Sequence, residues 1–171
     1  MSLYFKREQE KIKQGAVMPL SDIDFTSILE DKSKKIIGDI EWLEDEDHSP
    51  SVEFRAEVKS EKGWPLFVKG SYNSLAMALT YALILQTDGR IYGLDLGKGH
   101  INQSPQRTQV GEKHKHRWTE QYRDKNAYVP EDITAPVSDP LAVWSQFCTE
   151  SNIEHDGEMK PLPSTQQELF L

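Results

Sequence analysis

Cysteine is almost absent from this chain, which has a single one, Cys148. One thiol cannot form a disulfide within the chain, so internal cross-linking is excluded as a source of stability. Cys148 lies in sequence among Trp144, Phe147 and Ile153, a setting typical of a small buried apolar side chain rather than of a nucleophile. The cysteine content therefore predicts a reducing, cytoplasmic location.

Long apolar runs are also missing. The longest, Leu75 to Leu85, falls far short of the roughly 20 residues that a helix needs to cross a bilayer. The amino-terminal residues lack the basic and then apolar layout of a signal peptide. We therefore expect a protein that is neither exported nor embedded in a membrane.

Positive charge is in short supply, because 20 Lys and Arg face 28 Asp and Glu and leave a net charge of −8. This balance argues against general binding to a nucleic-acid backbone, where cationic side chains must replace counterions. Residues 98–125 are the exception, with seven basic and three acidic side chains. An anionic ligand or a nucleic acid is expected only at this segment, unless its charge simply offsets the acidic run at residues 39–47.

The strand pattern of the chain predicts the fold class. Val52, Phe54, Ala56 and Val58 alternate with charged residues, as in a strand with one buried and one wet face. Leu75 to Leu85 also alternates, and the Thr87-Asp88-Gly89 sequence that follows is typical of a tight hairpin turn. Short turns between successive strands predict an α+β fold with a meandering antiparallel sheet of five or six strands.

A helix near the carboxyl end completes this predicted fold. Asp139 and Pro140 are a typical helix cap and first residue, and an apolar side follows at Leu141, Trp144, Phe147 and Cys148. We expect the helix to cover one face of the sheet. The chain then divides into a helical or extended segment at 1–33, one α+β domain at 34–153 and a flexible tail at 154–171.

Three of the five histidines lie between residues 92 and 130, and two of them form the sequence His114-Lys115-His116. Side chains two residues apart on a strand point the same way, so both imidazoles share one face. Co-facing imidazoles bind first-row metals, and Asp95, His100 or Glu120 is able to complete the ligand set. The predicted cofactor is a divalent transition metal held by His100, His114 and His116. The alternative is a pair of surface or half-buried histidines that only form hydrogen bonds.

The same residues support a catalytic hypothesis. Two imidazoles are able to exchange protons with a phosphodiester while nearby cations stabilise the developing charge. The catalytic residues would be His114, His116, Glu120 and Lys115. The residues predicted to contact the ligand are Asp95, His100, Asn102, Arg117, Tyr122 and Lys125.

The second half of the chain resembles an uncharacterised family of bacterial and phage-encoded proteins. The resemblance rests on an aspartate-bearing strand, a His-x-Asn turn, a His-x-His strand, an acidic residue and an Asp-Lys-x-Ala-Tyr segment. The matching positions are Asp95, His100, Asn102, His114, His116, Glu120, Asp124, Lys125, Ala127 and Tyr128. The resemblance implies the fold and an association with mobile elements. We expect a binding or accessory protein of mobile-element or stress type, with the histidine-containing face as its contact surface. The alternative is a small metal- or His-dependent phosphodiesterase or ribonuclease, and the sequence leaves open whether the protein is an enzyme.

The last residues add a hypothesis about a protein partner. Gln166 to Phe170, QQELF, resembles the short Gln-x-x-Leu-Phe peptide by which bacterial DNA-metabolism proteins bind the replication sliding clamp. Its Leu169 and Phe170 suit an apolar pocket, and the preceding segment contains proline and serine, as a flexible tail does. Sliding-clamp binding is therefore predicted for this peptide, and the alternative is a segment that packs against its own domain or stays disordered.

Overall fold

A computed structural model describes Lys6, residues 18–103 and residues 105–164 of the chain. The Gln166–Phe170 peptide lies outside the described residues, so its binding to a sliding clamp stays a prediction. Among the described residues, no helix combines the length and the apolar character needed to cross a membrane.

The described secondary structure contains two α-helices and eleven strands. The helices are α1 (Asp22–Glu30) and α2 (Pro140–Glu150), and a short 3-10 turn spans Glu46–His48. The strands are β1 (Lys34–Ile37), β2 (Leu43–Glu44), β3 (Val52–Val58), β4 (Leu66–Asn73), β5 (Ala78–Leu85), β6 (Gly89–Leu96), β7 (His100–Ile101), β8 (Gln109–Val110), β9 (Lys113–Arg117), β10 (Ala127–Tyr128) and β11 (Ile153–Asp156).

Seven of these strands form one antiparallel sheet in the order β10-β9-β6-β5-β4-β3-β2. The predicted α+β class, with an antiparallel sheet and a carboxyl-terminal helix, is confirmed, although the sheet has seven strands rather than five or six. Strand β1 lies outside this sheet. It pairs in parallel with β11, which follows α2.

One face of the main sheet, which we call the helix face, packs against α2. The helix begins at its cap Asp139, whose carboxylate accepts a hydrogen bond from the Ala142 amide. Trp144 and Phe147 lie against Tyr81 of β5, with ring centres 5.2 and 5.7 Å away. Gly70 allows this packing, since a Cβ there would lie 2.1 Å from the Phe54 ring. The aromatic layer between sheet and helix is the centre of the hydrophobic core.

The core extends beyond the boundaries predicted for the central domain. Leu20, Phe25 and Ile28, from α1 and the residues before it, are buried in the same cluster as the sheet residues. At the other end, Met159 forms a bridge with Ile40 and packs against that cluster. The division at 33/34 and 153/154 stays a prediction, and the packing places residues on both sides of each boundary in one core.

Candidate metal centre

The opposite face of the sheet, which we call the histidine face, brings polar side chains from three strands into one row. Thr80 on β5 pairs with Asp95 on β6, and Asp95 pairs with His114 on β9. His116 follows two residues later opposite Gly93, so its side chain lies on the same face. Strand alternation thus places both histidines beside Asp95, on the side of the sheet away from α2.

The third histidine comes from a two-stranded arm, β7 and β8, which lies over this row. The centre of the His100 ring lies 5.5 Å from that of His114 and 4.6 Å from that of His116. The His114 and His116 ring centres are 4.9 Å apart. His114 and His116 are buried, whereas His100 is half-buried. The three imidazoles form a compact cluster that joins the arm to the sheet.

The Asn102 side chain holds this arm in place. Its carbonyl oxygen accepts a hydrogen bond from the Ala127 amide at 2.7 Å, and its Nδ2 donates to the Ala127 carbonyl at 2.9 Å. The Gln103 amide donates to Oδ1 of Asn126 at 2.9 Å. These contacts attach the arm to the free edge of β10, and so fix where His100 lies.

Each ring of the cluster donates one hydrogen bond to a backbone carbonyl. His114 Nδ1 donates to the Gly111 oxygen at 2.8 Å, and His116 Nδ1 donates to the Asp124 oxygen at 2.9 Å. His100 Nε2 donates to the Lys125 oxygen at 2.6 Å. A carbonyl only accepts, so these contacts determine which nitrogen carries the proton in each neutral ring. In a neutral ring the other nitrogen keeps its lone pair. His116 Nε2, 3.1 Å from Asp95 Oδ2, carries a proton when it donates to that carboxylate and would have to release it to bind a metal.

The geometry of the cluster suits a single small ion. One nitrogen from each of the three rings lies within 4.8 Å of the others. Neutral imidazoles whose second nitrogen donates to a carbonyl are the usual arrangement at protein metal centres, because the outer hydrogen bond fixes both tautomer and ring orientation. The three histidines therefore have the spacing and the outer contacts of a metal-binding set.

Asp95 is the carboxylate of the cluster. Its Oδ2 lies 3.1 Å from His116 Nε2 and 3.5 Å from His114 Nε2. Its Oδ1 accepts a hydrogen bond from the Thr80 hydroxyl at 2.5 Å. Burial alone would raise the pKa of Asp95, but the hydrogen bonds from His116 and Thr80 and the charge of Arg90 lower it well below the usual range. Asp95 is therefore an ionised donor beside the His114 and His116 rings.

The protonation of His114 agrees with this arrangement. Burial lowers the pKa of His114, and the neighbouring rings of His116 and His100 lower it further. The Gly111 carbonyl and the Asp95 carboxylate oppose this shift without reversing it. The neutral ring is thus favoured, and the neutral ring is the form that binds a metal.

Arg90 is the cation beside Asp95. Its Nη1 lies 3.5 Å from Asp95 Oδ2, and its Nε donates to Asp124 Oδ2 at 3.0 Å. The side chain passes over Gly93, where an added Cβ would lie 3.0 Å from Arg90 Cδ. Neither Arg90 nor Thr80 was predicted from the sequence, because only the register of β5, β6 and β9 brings them to the histidines.

A family described as a family of unknown function (DUF6978) matches residues 20–153. The chain belongs to this family. The prediction that it belongs to an uncharacterised family is therefore confirmed, and the matched range includes α1, the whole main sheet, the arm and α2. Neither a curated protein nor a solved structure matches the chain.

Within this member of DUF6978, Lys115 lies on the helix face and not with the histidines. Its ammonium donates to Asp132 Oδ2 at 2.7 Å and contacts Glu150 Oε2 at the end of α2. The Tyr92 hydroxyl donates to the same Glu150 oxygen at 2.6 Å. Lys115 is fully buried. It therefore connects β9 to α2 on the side of the sheet opposite the cluster.

Glu120 is likewise engaged elsewhere. Its Oε1 accepts a hydrogen bond from the Asp22 amide at 3.0 Å, and its own amide donates to Asp22 Oδ1 at 2.8 Å. This reciprocal pair attaches the residues after β9 to the first turn of α1. The structure therefore does not bring Glu120 into the histidine cluster.

The remaining predicted ligand contacts divide between the cluster and other places. Lys125 contributes its backbone carbonyl to His100, and its ammonium lies 3.7 Å from Asp124. The guanidinium of Arg117 lies 5.2 Å from the centre of the Phe25 ring in α1. The Tyr122 amide donates to the Thr119 hydroxyl at 3.0 Å, within the same turn. Of the predicted contacts, Asp95, His100, Asn102 and Lys125 lie at or beside the cluster.

Proposed function

We propose that this protein binds one divalent first-row transition ion through His100, His114 and His116, with Asp95 as a fourth donor. The observation that carries the proposal is the convergence of three imidazole nitrogens within 4.8 Å of one another. Three histidines and a carboxylate suit zinc, and they also suit other borderline divalent ions of the first row.

The outer contacts distinguish this arrangement from a chance grouping of histidines. All three rings donate to main-chain carbonyls, which holds each remaining nitrogen in a fixed orientation before an ion arrives. The Thr80 hydroxyl does the same for Asp95. Such fixed donors lower the cost of ordering the site, and we therefore expect tight binding.

The position of the site indicates what an ion would do for the fold. His114 and His116 belong to β9 in the sheet, whereas His100 belongs to the arm. The arm also contacts β10 and its neighbouring turn through the hydrogen bonds of Asn102 and Gln103. An ion bound by all three rings would add a direct link between arm and sheet. Metal binding should therefore stabilise the closed position of the arm.

The enzymatic alternative depends on the same residues. A metal-dependent phosphodiesterase would use this centre to activate water. A metal-free one would need the nearby cations predicted from the sequence, and Lys115 and Arg117 instead contact Asp132 and Phe25 away from the cluster. Lys115 and Arg117 therefore do not supply the cations of a metal-free mechanism at this cluster. The binding or accessory role of mobile-element or stress type stays a prediction.

Equilibrium metal titration tests the proposal. Chelator-treated, untagged protein is titrated with zinc in competition with a coloured chelator, and one ion per chain is expected. The His114→Ala/His116→Ala variant should lose more than about 100-fold in zinc affinity. Mutation of a residue that only hydrogen-bonds to a metal ligand already costs about 10- to 100-fold, and this variant lacks two of the ligands themselves.

The matched control is His48→Ala, because the side chain of His48 is 76% exposed and far from the cluster in the fold. Its affinity should equal that of the unmodified protein, and circular dichroism checks that all three proteins are folded. Equal zinc affinity in the double variant and the unmodified protein would reject the proposed site.

A further inference from the structure

We infer that the proposed metal ion carries an exchangeable oxyanion ligand, a phosphoryl or carboxylate group, which Arg90 and Lys98 bind beside it. This inference rests on the proposed function and names the class of ligand that the site would take. Its basis is the set of cationic side chains that surrounds Asp95 on the histidine face.

Lys98 is the first of these cations. It lies in the turn between β6 and the arm, where its ammonium is 3.4 Å from the Thr80 hydroxyl. Lys98 is exposed, and among residues 18–103 and 105–164 no carboxylate lies within ion-pair distance of it. Its charge is therefore available to a ligand that approaches the Thr80 side of Asp95.

Arg90 is the second cation, and a bound ion would change its contact with Asp95. Its Nη1 contacts the same Asp95 oxygen that faces His114 and His116. An ion bound between that oxygen and the two rings would compete with the guanidinium for Asp95 and repel it. Arg90 would keep its bond to Asp124 through Nε, which leaves the other two nitrogens free to donate to an anion.

The charge balance points in the same direction. The carboxylates of Asp95 and Asp124 lie among three cationic side chains, those of Arg90, Lys98 and Lys125. A divalent ion would add further positive charge to a site where three of its ligands, Asp95, His114 and His116, are buried and water screens poorly. An anion in the coordination shell compensates that excess, whereas a neutral ligand does not.

The exposure of the side chains indicates the direction of approach. The side chains of His114 and His116 are only 2% and 3% exposed, so the sheet side is closed. The Arg90 side chain is 26% exposed and that of Asp95 is 11% exposed. A small ligand would therefore reach the ion past Arg90, whose side chain is more exposed than those of Asp95, His114 and His116.

Cobalt spectroscopy tests the inference with phosphate as the probe. Protein in excess over Co²⁺ is titrated with sodium phosphate at constant ionic strength, and the visible absorption band of the bound ion is followed. We expect a saturable change in the band. The same titration is repeated with acetate, and the comparison distinguishes a phosphoryl ligand from a carboxylate ligand. A saturable change with either anion supports the inference.

The variants assign the effect to residues. Arg90→Gln should weaken anion binding about tenfold at saturating cobalt, because a charge-assisted hydrogen bond is lost. Arg55→Gln is the matched control, since Arg55 lies on the same face over the Phe67 ring, two strands from β5, and should leave anion affinity unchanged. The cobalt affinity of each variant is measured separately.

The outcomes separate this inference from the metal proposal. A cobalt spectrum that neither anion changes, or an anion response that is the same in Arg90→Gln, would overturn the oxyanion site while leaving the metal centre intact. A protein that gives no bound-cobalt spectrum would reject the metal centre itself, and the oxyanion site with it, before any anion is added.

Discussion

Saturating zinc is expected to raise the thermal unfolding midpoint of the chelator-treated protein by about 8–16 °C. A ligand present at about 1,000 times its dissociation constant adds about 4 kcal/mol to the free energy of unfolding. For a chain of this size each kcal/mol corresponds to about 2–4 °C. The gain should be large because the three histidines lie on two separate elements, the arm and β9, which unfolding separates.

The controls for this shift are a variant and a second ion. His114→Ala/His116→Ala should show no zinc-dependent shift, and calcium should leave the unmodified protein unchanged, because calcium prefers oxygen ligands. Differential scanning fluorimetry at several zinc concentrations is the measurement. An equal shift in the double variant would show that zinc acts elsewhere on the chain.

Substitution of Lys115 by methionine is expected to lower the free energy of unfolding by about 3 kcal/mol while leaving zinc affinity within about tenfold of the original. Lys115 is fully buried, and its ammonium bonds to Asp132 and contacts Glu150. Burial lowers the pKa of Lys115, and the hydrogen bond to Asp132 opposes that shift. Methionine would leave both carboxylates without this cation and would loosen the attachment of β9 to α2.

Urea unfolding of metal-free protein measures the change, and Lys113→Met is its matched control. Lys113 lies on the same face of the same strand but is exposed, and its ammonium donates to the Ile133 carbonyl at 3.0 Å. Its substitution should cost less than about 1 kcal/mol. If Lys115→Met left the free energy of unfolding unchanged and abolished zinc binding, Lys115 would act at the histidine cluster and the structural role proposed for it would be wrong.

Part of the candidate site could be predicted from the sequence, because strand alternation is a strong rule. It places His114 and His116 on one face, and the structure shows both side chains there. The same rule places Lys115 on the other face, so its separation from the histidines was also present in the sequence. The helix cap at Asp139 and the turn at Gly89, where φ is +89°, are equally local features.

The face of the sheet on which Asp95 lies could not be predicted by counting residues from the hairpin turn, because β6 contains a β-bulge. From the turn outward, Leu85 pairs with Gly89 and Ile84 with Arg90, but Leu83 then pairs with Tyr92. Without that extra residue Asp95 would lie opposite Leu79, on the helix face. The bulge shifts the register by one, and this shift brings Asp95 to Thr80 and the histidines.

The arm is the other element that the sequence does not reveal. Its strands have two residues each, which is too short for a periodic signal. Its position depends on the side chain of Asn102 and on the main chain near Ala127, which are 25 residues apart. His100 was proposed from its residue type, whereas its place over His114 and His116 depends on this long-range contact.

X-ray absorption spectroscopy of the zinc-loaded protein tests whether the three histidines bind the ion. We expect one ion per chain with three imidazole nitrogens at about 2.0–2.1 Å, and oxygen in the remaining position or positions. The imidazole contribution should disappear in His114→Ala/His116→Ala and persist in His48→Ala. A zinc environment of oxygen ligands alone, or one that is unchanged in the double variant, would contradict a metal centre at these three histidines.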